Sequence, residues 1–280
     1  MSTKHYAVIG HPIGHTMSPF IHKRLFDLAG IDAEYTKLDV LPENLSAEFA
    51  STLSRLDGYN ITIPHKQQMI PLLNSLDERA RLCGSVNTVL NRDGKSTGYT
   101  TDGIGFIKAL EAADIKLDGR IMILGCGGAA RAMAFEIALL GKPFEFAVHR
   151  RSVGKAGLLC LDITRKIPEA QVSFGLIDQI IGTVDVLINA TPVGMFPNAD
   201  EQPIHNCAIG RCGAVFDAIY NPLETVLVRR AKANGSKAAG GMSMLVWQAV
   251  AAHEIWDGSV YGKEDIEQLC ADAAKAMLER

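Results

Sequence analysis

The stretch "RIMILGCGGAARAMAFEIALLG", residues 120–141, decides the fold of one half of the chain. A short apolar strand leads into the glycine turn GCGGAA (125–130), and a helix of small residues starts at once. A second strand is predicted at Phe144–Val148. Strand, glycine turn, helix and strand in this order are the context of a dinucleotide-binding fingerprint. A bare GxGxxA pattern fits a plain tight turn equally well, but its surroundings favour dinucleotide binding.

The small residues of the turn each have a reason to be small. Gly125 permits the tight turn, and Gly127 has no side chain that would block a pyrophosphate. Ala130 occupies the third position, where a small residue lets the helix approach the strand. The first turn of the helix then offers free N–H groups to the phosphates.

The end of the second strand indicates which dinucleotide is bound. An NAD site usually carries an acidic residue there, for the ribose 2′-hydroxyl. This chain has His149, Arg150 and Arg151 at that point, with Lys155 behind them, and its nearest carboxylate, Glu145, lies inside the strand. Adjacent guanidinium groups can bind a 2′-phosphate in a bidentate manner. The pattern predicts NADP(H); the alternative is a solvated basic loop.

Strands and helices alternate on both sides of this stretch, which predicts an α/β fold with a largely parallel sheet. Strands are expected at Tyr6–Ile9, Ala33–Leu38, Val86–Asn91, Lys95–Tyr99, Val184–Asn189 and Ala214–Ala218, and helices at Leu41–Leu56, Met69–Cys83, Ile104–Asp114, Met244–Trp256 and Lys263–Leu278. A further helix starts at Ser18-Pro19, with Ser18 as the predicted N-cap. Two domains are expected, 1–103 and 104–242, with 243–280 returning to the first.

Bulk composition excludes several classes of protein. The 280 residues carry a net charge of −3, which disfavours a nucleic-acid partner. The six cysteines show no C-x-x-C spacing, so structural disulfides and metal binding are both disfavoured and a reducing cytoplasm is expected. The N-terminus lacks the apolar run of a signal peptide, and no stretch of apolar residues is long enough to span a membrane.

A second informative stretch is "GYNITIPHKQQ", residues 58–68, in which a strand ends at Pro64 and Lys66 follows directly. Asn87 and Asp102 also lie at predicted strand ends. Taken singly, Lys66 fits a surface lysine, Asp102 a helix N-cap and Asn87 a turn residue. Ligands of α/β sheets bind beyond the carboxyl ends of the strands. A lysine and an aspartate meeting there, beside a nicotinamide, would suit carbonyl–alcohol redox chemistry.

Eight blocks in order resemble the shikimate dehydrogenase family over nearly the whole chain. They are IGHPIGHTMSP (9–19), NITIPHK (60–66), GSVNT (84–88), GYTTDGIGF (98–106), GCGGAARA (125–132), NATPVGM (189–195), FDAIYNP (216–222) and GGMSMLVWQA (240–249). The resemblance implies an N-terminal α/β substrate domain, a Rossmann-type NADP-binding domain, and C-terminal helices that pack on the first domain. It also implies reversible NADP-dependent reduction of 3-dehydroshikimate to shikimate, in aromatic amino-acid biosynthesis, by a cytoplasmic monomer or homodimer without a metal.

The family's functional residues map onto matching positions of this chain. The catalytic pair would be Lys66 and Asp102. Substrate contacts would be Thr16, Ser18, Thr62, Asn87, Tyr220 and Gln248, with Thr16 and Ser18 on the carboxylate. Cofactor contacts would be Gly125, Gly127, Gly128, Ala129, Ala130, His149, Arg150, Arg151, Asn189, Thr191, Met195 and Gly241.

Some positions depart from the family pattern. Thr16 stands where serine is usual, which leaves open a preference for shikimate or quinate. Thr100 replaces an asparagine before the aspartate, His149 and Arg151 replace the usual neighbours of Arg150, and Ser243 replaces a glycine. Two alternatives therefore stay open: a quinate/shikimate dehydrogenase that uses NAD or both cofactors, and a ligand-binding sensor of the same fold without turnover.

Overall fold

A computed structural model describes residues 3–14 and 16–279. The chain divides into two compact units, Met1–Asp102 with Val246–Arg280, and Gly103–Leu245. Each unit contains one six-stranded sheet.

The elements of the described residues are as follows. The strands are β1 (Lys4–Gly10), β2 (Ala33–Asp39), β3 (Gly58–Ile61), β4 (Ser75–Leu76), β5 (Thr88–Arg92), β6 (Lys95–Tyr99), β7 (Ile121–Leu124), β8 (Phe144–Val148), β9 (Val172–Leu176), β10 (Val184–Asn189), β11 (Cys212–Asp217) and β12 (Lys237–Ala239). The α-helices are α1 (Ser18–Ala29), α2 (Leu45–Ser51), α3 (Glu78–Cys83), α4 (Asp102–Ala112), α5 (Gly128–Leu139), α6 (Val153–Lys166), α7 (Asn206–Ile209), α8 (Val226–Ala233), α9 (Met242–Asp257) and α10 (Lys263–Leu278).

The sheet of the first unit is mixed, in the order β2-β1-β3-β5-β6-β4. β1 runs parallel to β2 and β3, whereas β5 is antiparallel to both β3 and β6. Five of the six strands thus share one direction and β5 alone is reversed, so the prediction of a largely parallel sheet is confirmed with one antiparallel exception. The antiparallel step has a consequence for function: because β5 runs against β3, the residue that precedes β5 lies at the same sheet edge as the residues that follow β3.

The predicted helix at Met69–Cys83 is wrong. The segment forms a 3₁₀ turn at Ile70–Leu72, then the short β4, and only then the helix α3. Pro71 sits inside the predicted helix and has no N–H to continue it. Asp77 starts α3 instead, because its carboxylate accepts hydrogen bonds from the N–H groups of residues 79 and 80.

The predicted helix at Leu41–Leu56 is shorter in the structure. Only α2 is α-helical, with 3₁₀ turns at Pro42–Asn44 and Leu53–Arg55 on its two sides.

The C-terminal segment completes the core of the first unit. The Trp256 indole of α9 is 3% exposed and donates a hydrogen bond to the carbonyl of Val89, 2.9 Å away. The Tyr6 ring packs against Trp256 with a centroid distance of 4.6 Å. Gly58 leaves the space that this ring needs, since a Cβ there would lie 2.5 Å from the indole nitrogen. These residues of the first sheet are thus covered by a side chain at least 167 positions later in the chain.

The second unit is built on a fully parallel sheet in the order β12-β11-β10-β7-β8-β9. This is the doubly wound order, with β7 as its first strand and a topological switch point between β7 and β10. β7 is buried along its whole length, as a strand covered on both faces requires. The predictions for β7, the glycine turn, α5 and β8 are confirmed.

Among the described residues, no helix has the length and apolarity to cross a bilayer, and no cluster of three or more His, Cys, Asp and Glu side chains could hold a metal ion.

Candidate active site

Lys66 lies in the turn that follows β3, and the backbone of this turn is firmly held. The carbonyl of Lys66 accepts a hydrogen bond from the N–H of Val86 at 2.9 Å, and the N–H of Met69 bonds to the carbonyl of His65 at 2.9 Å. The buried His65 ring contacts the Val40 carbonyl at 2.7 Å. Turn hydrogen bonds and the His65 anchor, rather than a following helix, thus fix the direction of Lys66.

The ammonium of Lys66 and the carboxylate of Asp102 form an ion pair with an Nζ–Oδ2 distance of 2.5 Å. The two side chains are 21% and 13% exposed, so the pair is shielded but reachable from solvent. The second carboxylate oxygen of Asp102 accepts a hydrogen bond from the Asn87 amide at 2.8 Å. Asp102 is the first residue of α4, but its carboxylate is bonded to Lys66 and Asn87, so the residue is more than a helix start.

Asn87 is the centre of the surrounding polar network. It is 2% exposed and immediately precedes β5. Its amide nitrogen contacts Oγ1 of Thr101 at 2.9 Å and Oε1 of Gln248 at 3.4 Å, and its amide oxygen accepts from the Thr101 N–H at 2.7 Å. Four of the residues expected in the site, Lys66, Asn87, Asp102 and Gln248, are therefore brought together in the first unit.

Ser18 is not the N-cap of α1, contrary to the prediction. The N-cap position belongs to Met17, and no side chain caps the helix. The Ser18 hydroxyl accepts a hydrogen bond from the Thr16 hydroxyl at 3.0 Å, and the Ser18 N–H donates to Thr16 Oγ1 at 3.1 Å. The two hydroxyls expected to bind a carboxylate are thus adjacent, and Ser18 is not occupied by capping.

Thr62 follows β3 directly and donates its backbone N–H to the carbonyl of Ile9 at 2.9 Å. It therefore lies at the same sheet edge as Lys66. Tyr220, the remaining predicted substrate contact, belongs to the second unit and follows β11.

The glycine turn of the second unit has the backbone that a pyrophosphate site needs. Gly125 has φ +92°, a conformation that residues with a Cβ rarely adopt. A Cβ at Gly127 or Gly128 would meet nothing within 4 Å, so open space lies before the first turn of α5. Ala129 stands in that first turn, and Ala130 is fully buried, as close contact between helix and strand requires.

The basic residues after β8 separate into two environments. His149 and Arg150 line a cavity of about 710 Å³, together with Asp178 and Arg211. Arg151 is exposed and is not part of the lining. Asp178 and Arg211 were not predicted; they lie beyond β9 and α7, and only the folded strand order brings them near Arg150.

The side chain of Asn189 is buried and forms hydrogen bonds within the protein, so it does not face open space. Its amide nitrogen donates to Asp217 at 2.9 Å, and its amide oxygen accepts from the N–H and the hydroxyl of Thr191 at 3.0 and 2.7 Å. Among the other predicted cofactor contacts, Met195 is 44% exposed, whereas Gly241 is buried against the backbone of residue 218. Asn189 and Gly241 therefore hold the backbone around the predicted cofactor contacts through buried contacts of their own.

Asp217 is a fully buried carboxylate at the end of β11. Burial raises its pKa to about 6, although hydrogen bonds from Thr225, the Ile219 N–H and Asn189 oppose the rise. Because the folded-state pKa lies above the unfolded value of 3.8, protonation stabilises the fold, and this stabilisation is lost as pH rises through about 6.

Asp217→Asn is expected to remove this pH dependence. Relative to the variant, the wild type should gain about 2–3 kcal/mol in free energy of unfolding as pH falls from 7 to 4. Urea unfolding at several pH values measures the difference. Asp118→Asn is the control, since Lys142 lowers the pKa of Asp118 and its effect has the opposite sign. Parallel stability curves for wild type and Asp217→Asn would contradict the prediction.

A doubly wound sheet with this glycine turn defines a Rossmann-type dinucleotide-binding unit, and the lysine–carboxylate pair gives the chain the make-up of a nicotinamide-dependent dehydrogenase. Residues 8–89 match the model of the shikimate dehydrogenase substrate binding domain. Shikimate dehydrogenase (NADP(+)) of Methanocaldococcus jannaschii is 42% identical over 263 residues, which cover 91% of this chain and 92% of that protein. The chain belongs to the shikimate dehydrogenase family.

Solved structures agree with this assignment. A shikimate dehydrogenase crystallised with NADP+ superposes with a TM-score of 0.87 at 39% identity, covering 96% of this chain and 95% of the other. The enzyme of Thermus thermophilus, crystallised with NADP(H) and shikimate, superposes with a TM-score of 0.86 at 30% identity, covering 97% of this chain and all of the other.

Proposed function

We propose that the protein catalyses the reversible NADP-dependent reduction of 3-dehydroshikimate to shikimate, a step of aromatic amino-acid biosynthesis. The observation that carries this proposal is the shielded Lys66–Asp102 ion pair, held by Asn87 in a network with Gln248. A sensor that only binds a ligand has no need of a positioned proton donor, so the pair favours turnover.

Lys66 is the proposed proton donor. The hydride that converts the ring ketone to an alcohol would come from bound NADPH. Negative charge then develops on the carbonyl oxygen, where the Lys66 ammonium donates first a hydrogen bond and then a proton. Asp102 holds the ammonium in direction through its 2.5 Å contact, and Asn87 in turn holds the carboxylate. In the oxidation of shikimate, the amine form of Lys66 accepts the same proton.

The remaining polar groups of the first unit would hold the substrate. The hydroxyls of Thr16 and Ser18, which lie 3.0 Å apart, would donate to its carboxylate. Asn87, Asp102 and Gln248 would face the ring hydroxyls. Thr62 and Tyr220 are further proposed contacts; Tyr220 lies in the other unit.

The second unit fits NADP(H). The open space before α5 leaves room for the pyrophosphate, and the free N–H groups of its first turn would bind it. The cavity next to Arg150 has the size of a small-molecule site and carries the cation that a 2′-phosphate requires. The end of β8 has no carboxylate for a free 2′-hydroxyl, which supports NADP over NAD.

A spectrophotometric assay tests the proposal. Shikimate with NADP+ should give steady reduction of the nicotinamide, and both quinate and NAD+ should be poor replacements. Efficient turnover of quinate or a preference for NAD+ would favour the broader quinate/shikimate dehydrogenase. Binding of shikimate without turnover would favour the sensor.

We also propose a cytoplasmic location, since the six cysteines lack the C-x-x-C spacing and the chain is too long to need a disulfide framework, which suits a reducing compartment. A monomer or a homodimer is the proposed assembly, which size-exclusion chromatography with light scattering would distinguish.

A further inference from the structure

Asp217, at the end of β11, organises a group of polar residues in the second unit and was not predicted as a site residue. Its side chain is fully buried. The Oδ1 atom accepts hydrogen bonds from the Asn189 amide at 2.9 Å and from the Ile219 N–H at 3.1 Å. The Oδ2 atom accepts from the Thr225 hydroxyl at 2.7 Å. Three neutral donors therefore hold this buried carboxylate.

The orientation of the Asn189 amide follows from these contacts. Above the pKa of about 6 to which burial raises it, Asp217 is ionised and can only accept hydrogen bonds. The amide nitrogen of Asn189 must therefore face Asp217, and the amide oxygen must face the other way. That oxygen accepts from the backbone N–H of Thr191 at 3.0 Å and from the Thr191 hydroxyl at 2.7 Å. The carboxylate thus determines which end of the amide meets Thr191.

The hydrogen bonds of Thr191 are also determined. Its single hydroxyl hydrogen is donated to Asn189, and its hydroxyl oxygen accepts from the N–H of Val193 at 3.3 Å. These bonds fix the rotamer that directs the Thr191 methyl group at the glycine turn, since a Cβ at Gly125 would lie 2.9 Å from that methyl carbon. The hydroxyl is therefore used within the protein, and the methyl group is the part of Thr191 that lies against the turn.

The path that starts at Asp217 ends where a dinucleotide is expected to bind. Gly125 follows β7 and Thr191 follows β10, and these neighbouring parallel strands flank the switch point of the sheet. If the Asn189 amide rotated, its N–H groups would meet the N–H of Thr191, and both hydrogen bonds to Thr191 would be lost. One side of the switch point would then lose its fixed position.

We propose that Asp217 is a positioning residue for cofactor binding, which acts through Asn189 to hold Thr191 against the glycine turn. This inference rests on the proposed function, because it assumes NADP(H) as the cofactor. Because its own side chain is fully buried, Asp217 affects the cofactor only through the residues that it holds. Its removal should therefore weaken NADP+ binding even though it makes no contact with the nucleotide.

Asp217→Ala tests the proposal by isothermal titration calorimetry with NADP+ at pH 8. The variant frees the Asn189 amide, and we expect Kd for NADP+ to rise about tenfold, as the loss of one net hydrogen bond permits. Asp217→Asn should keep Kd within about threefold of the wild type, because its amide oxygen can accept from Asn189 and Ile219 in the same place.

Asn189→Ala removes the next residue of the path and should also raise Kd for NADP+ about tenfold. The double variant Asp217→Ala/Asn189→Ala should have a Kd within about twofold of Asn189→Ala alone, because Asp217 acts through the amide that is already missing.

Thr225→Val is the matched control. Thr225 bonds to the other oxygen of the same carboxylate, and it caps α8 by accepting from the N–H of Val228 at 3.3 Å. Its loss should lower the midpoint of urea unfolding, since both a cap and a buried hydrogen bond disappear. Kd for NADP+ should stay within about twofold of the wild type, because Oδ1 of Asp217 still holds Asn189.

Several outcomes would overturn the inference. If Asp217→Ala and Thr225→Val lose NADP+ affinity alike, in step with their loss of stability, the role of Asp217 is merely structural. Multiplicative effects in the double variant, an unchanged Kd in Asp217→Ala, or a Kd for Asp217→Asn as high as that for Asp217→Ala would also contradict it. If Asp217→Ala does not fold, Asn189→Ala breaks the same path, and an unchanged Kd in that variant would overturn the inference.

The titration separates the inference from the proposed function, because it needs no turnover. A wild type that binds NADP+ but does not oxidise shikimate would overturn the proposed function alone, and the variants would still decide the inference. A wild type that does not bind NADP+ would overturn both.

Discussion

Lys66→Met is expected to lower kcat for shikimate oxidation at least a hundredfold, while KM for shikimate changes less than about threefold. Methionine keeps an unbranched stem of similar length but cannot exchange a proton with the alcohol oxygen. A positioned general acid or base contributes about 10²–10⁴ in rate, and a hundredfold loss corresponds to about 2.7 kcal/mol of transition-state stabilisation. Steady-state kinetics at saturating NADP+ measures both constants.

Lys4→Met is the matched control for this variant. Lys4 also forms an ion pair with an aspartate of the first unit, Asp57, at 2.7 Å, but it is half exposed at the start of β1. It should keep wild-type kcat and KM. A Lys66→Met enzyme with unimpaired kcat would remove Lys66 from the mechanism, and a large rise in KM with kcat preserved would make it a binding residue only.

Arg150→Ala is expected to raise KM for NADP+ about thirtyfold and KM for NAD+ less than threefold. Hydrogen bonds to a charged group contribute about 1.5–3 kcal/mol each, and NAD+ lacks the 2′-phosphate that they would bind. Arg150 lines the cavity of the second unit, whereas Arg151 does not. Arg151→Ala should therefore have the smaller effect on NADP+.

The control for the arginine series is Arg165→Ala, an exposed arginine in the last turn of α6. It should change neither constant. Equal weakening of NADP+ and NAD+ by Arg150→Ala would contradict the proposed 2′-phosphate contact, because that result would place Arg150 on a part shared by both cofactors.

The elements around the glycine turn could be predicted from the sequence because their signals are local. β8 has the bounds that its apolar run predicts, and α5 begins within the glycine turn. The helix α10 also has its predicted bounds, Lys263–Leu278, since its apolar residues recur at helical spacing. In these segments propensity, pattern and turn chemistry all favour the same structure.

The predictions that are wrong concern segments whose structure is determined by tertiary contacts. The predicted helix at Met69–Cys83 took no account of Pro71 and missed the strand β4, whose partner β6 lies some twenty residues later. Ser18 before a proline has the local pattern of an N-cap, but its hydroxyl accepts a hydrogen bond from Thr16 instead. The hydrogen bond from the Tyr35 hydroxyl to Oδ1 of Asn60, at 2.6 Å, also has no local signal, because only the pairing of β2 and β3 with β1 brings the two residues together.

The site itself was predictable in part. The meeting of Lys66 with Asp102 was expected from strand ends, and the structure contains it. The position of Asn87 depends on the antiparallel direction of β5, which strand–helix alternation alone does not reveal. Asp178 and Arg211 beside Arg150 depend on the strand order of the second sheet and carry no local motif.

Trp256 is synthesised long after the strands that it covers, which has a consequence for folding during translation. A ribosome releases the strands of the first sheet long before it makes α9, so Gly58 and Tyr6 lack the indole that covers them until translation is almost complete. The second unit is continuous in the chain and has no such delay. The nascent polypeptide therefore acquires its nucleotide-binding half first, and the half that emerges earliest matures last.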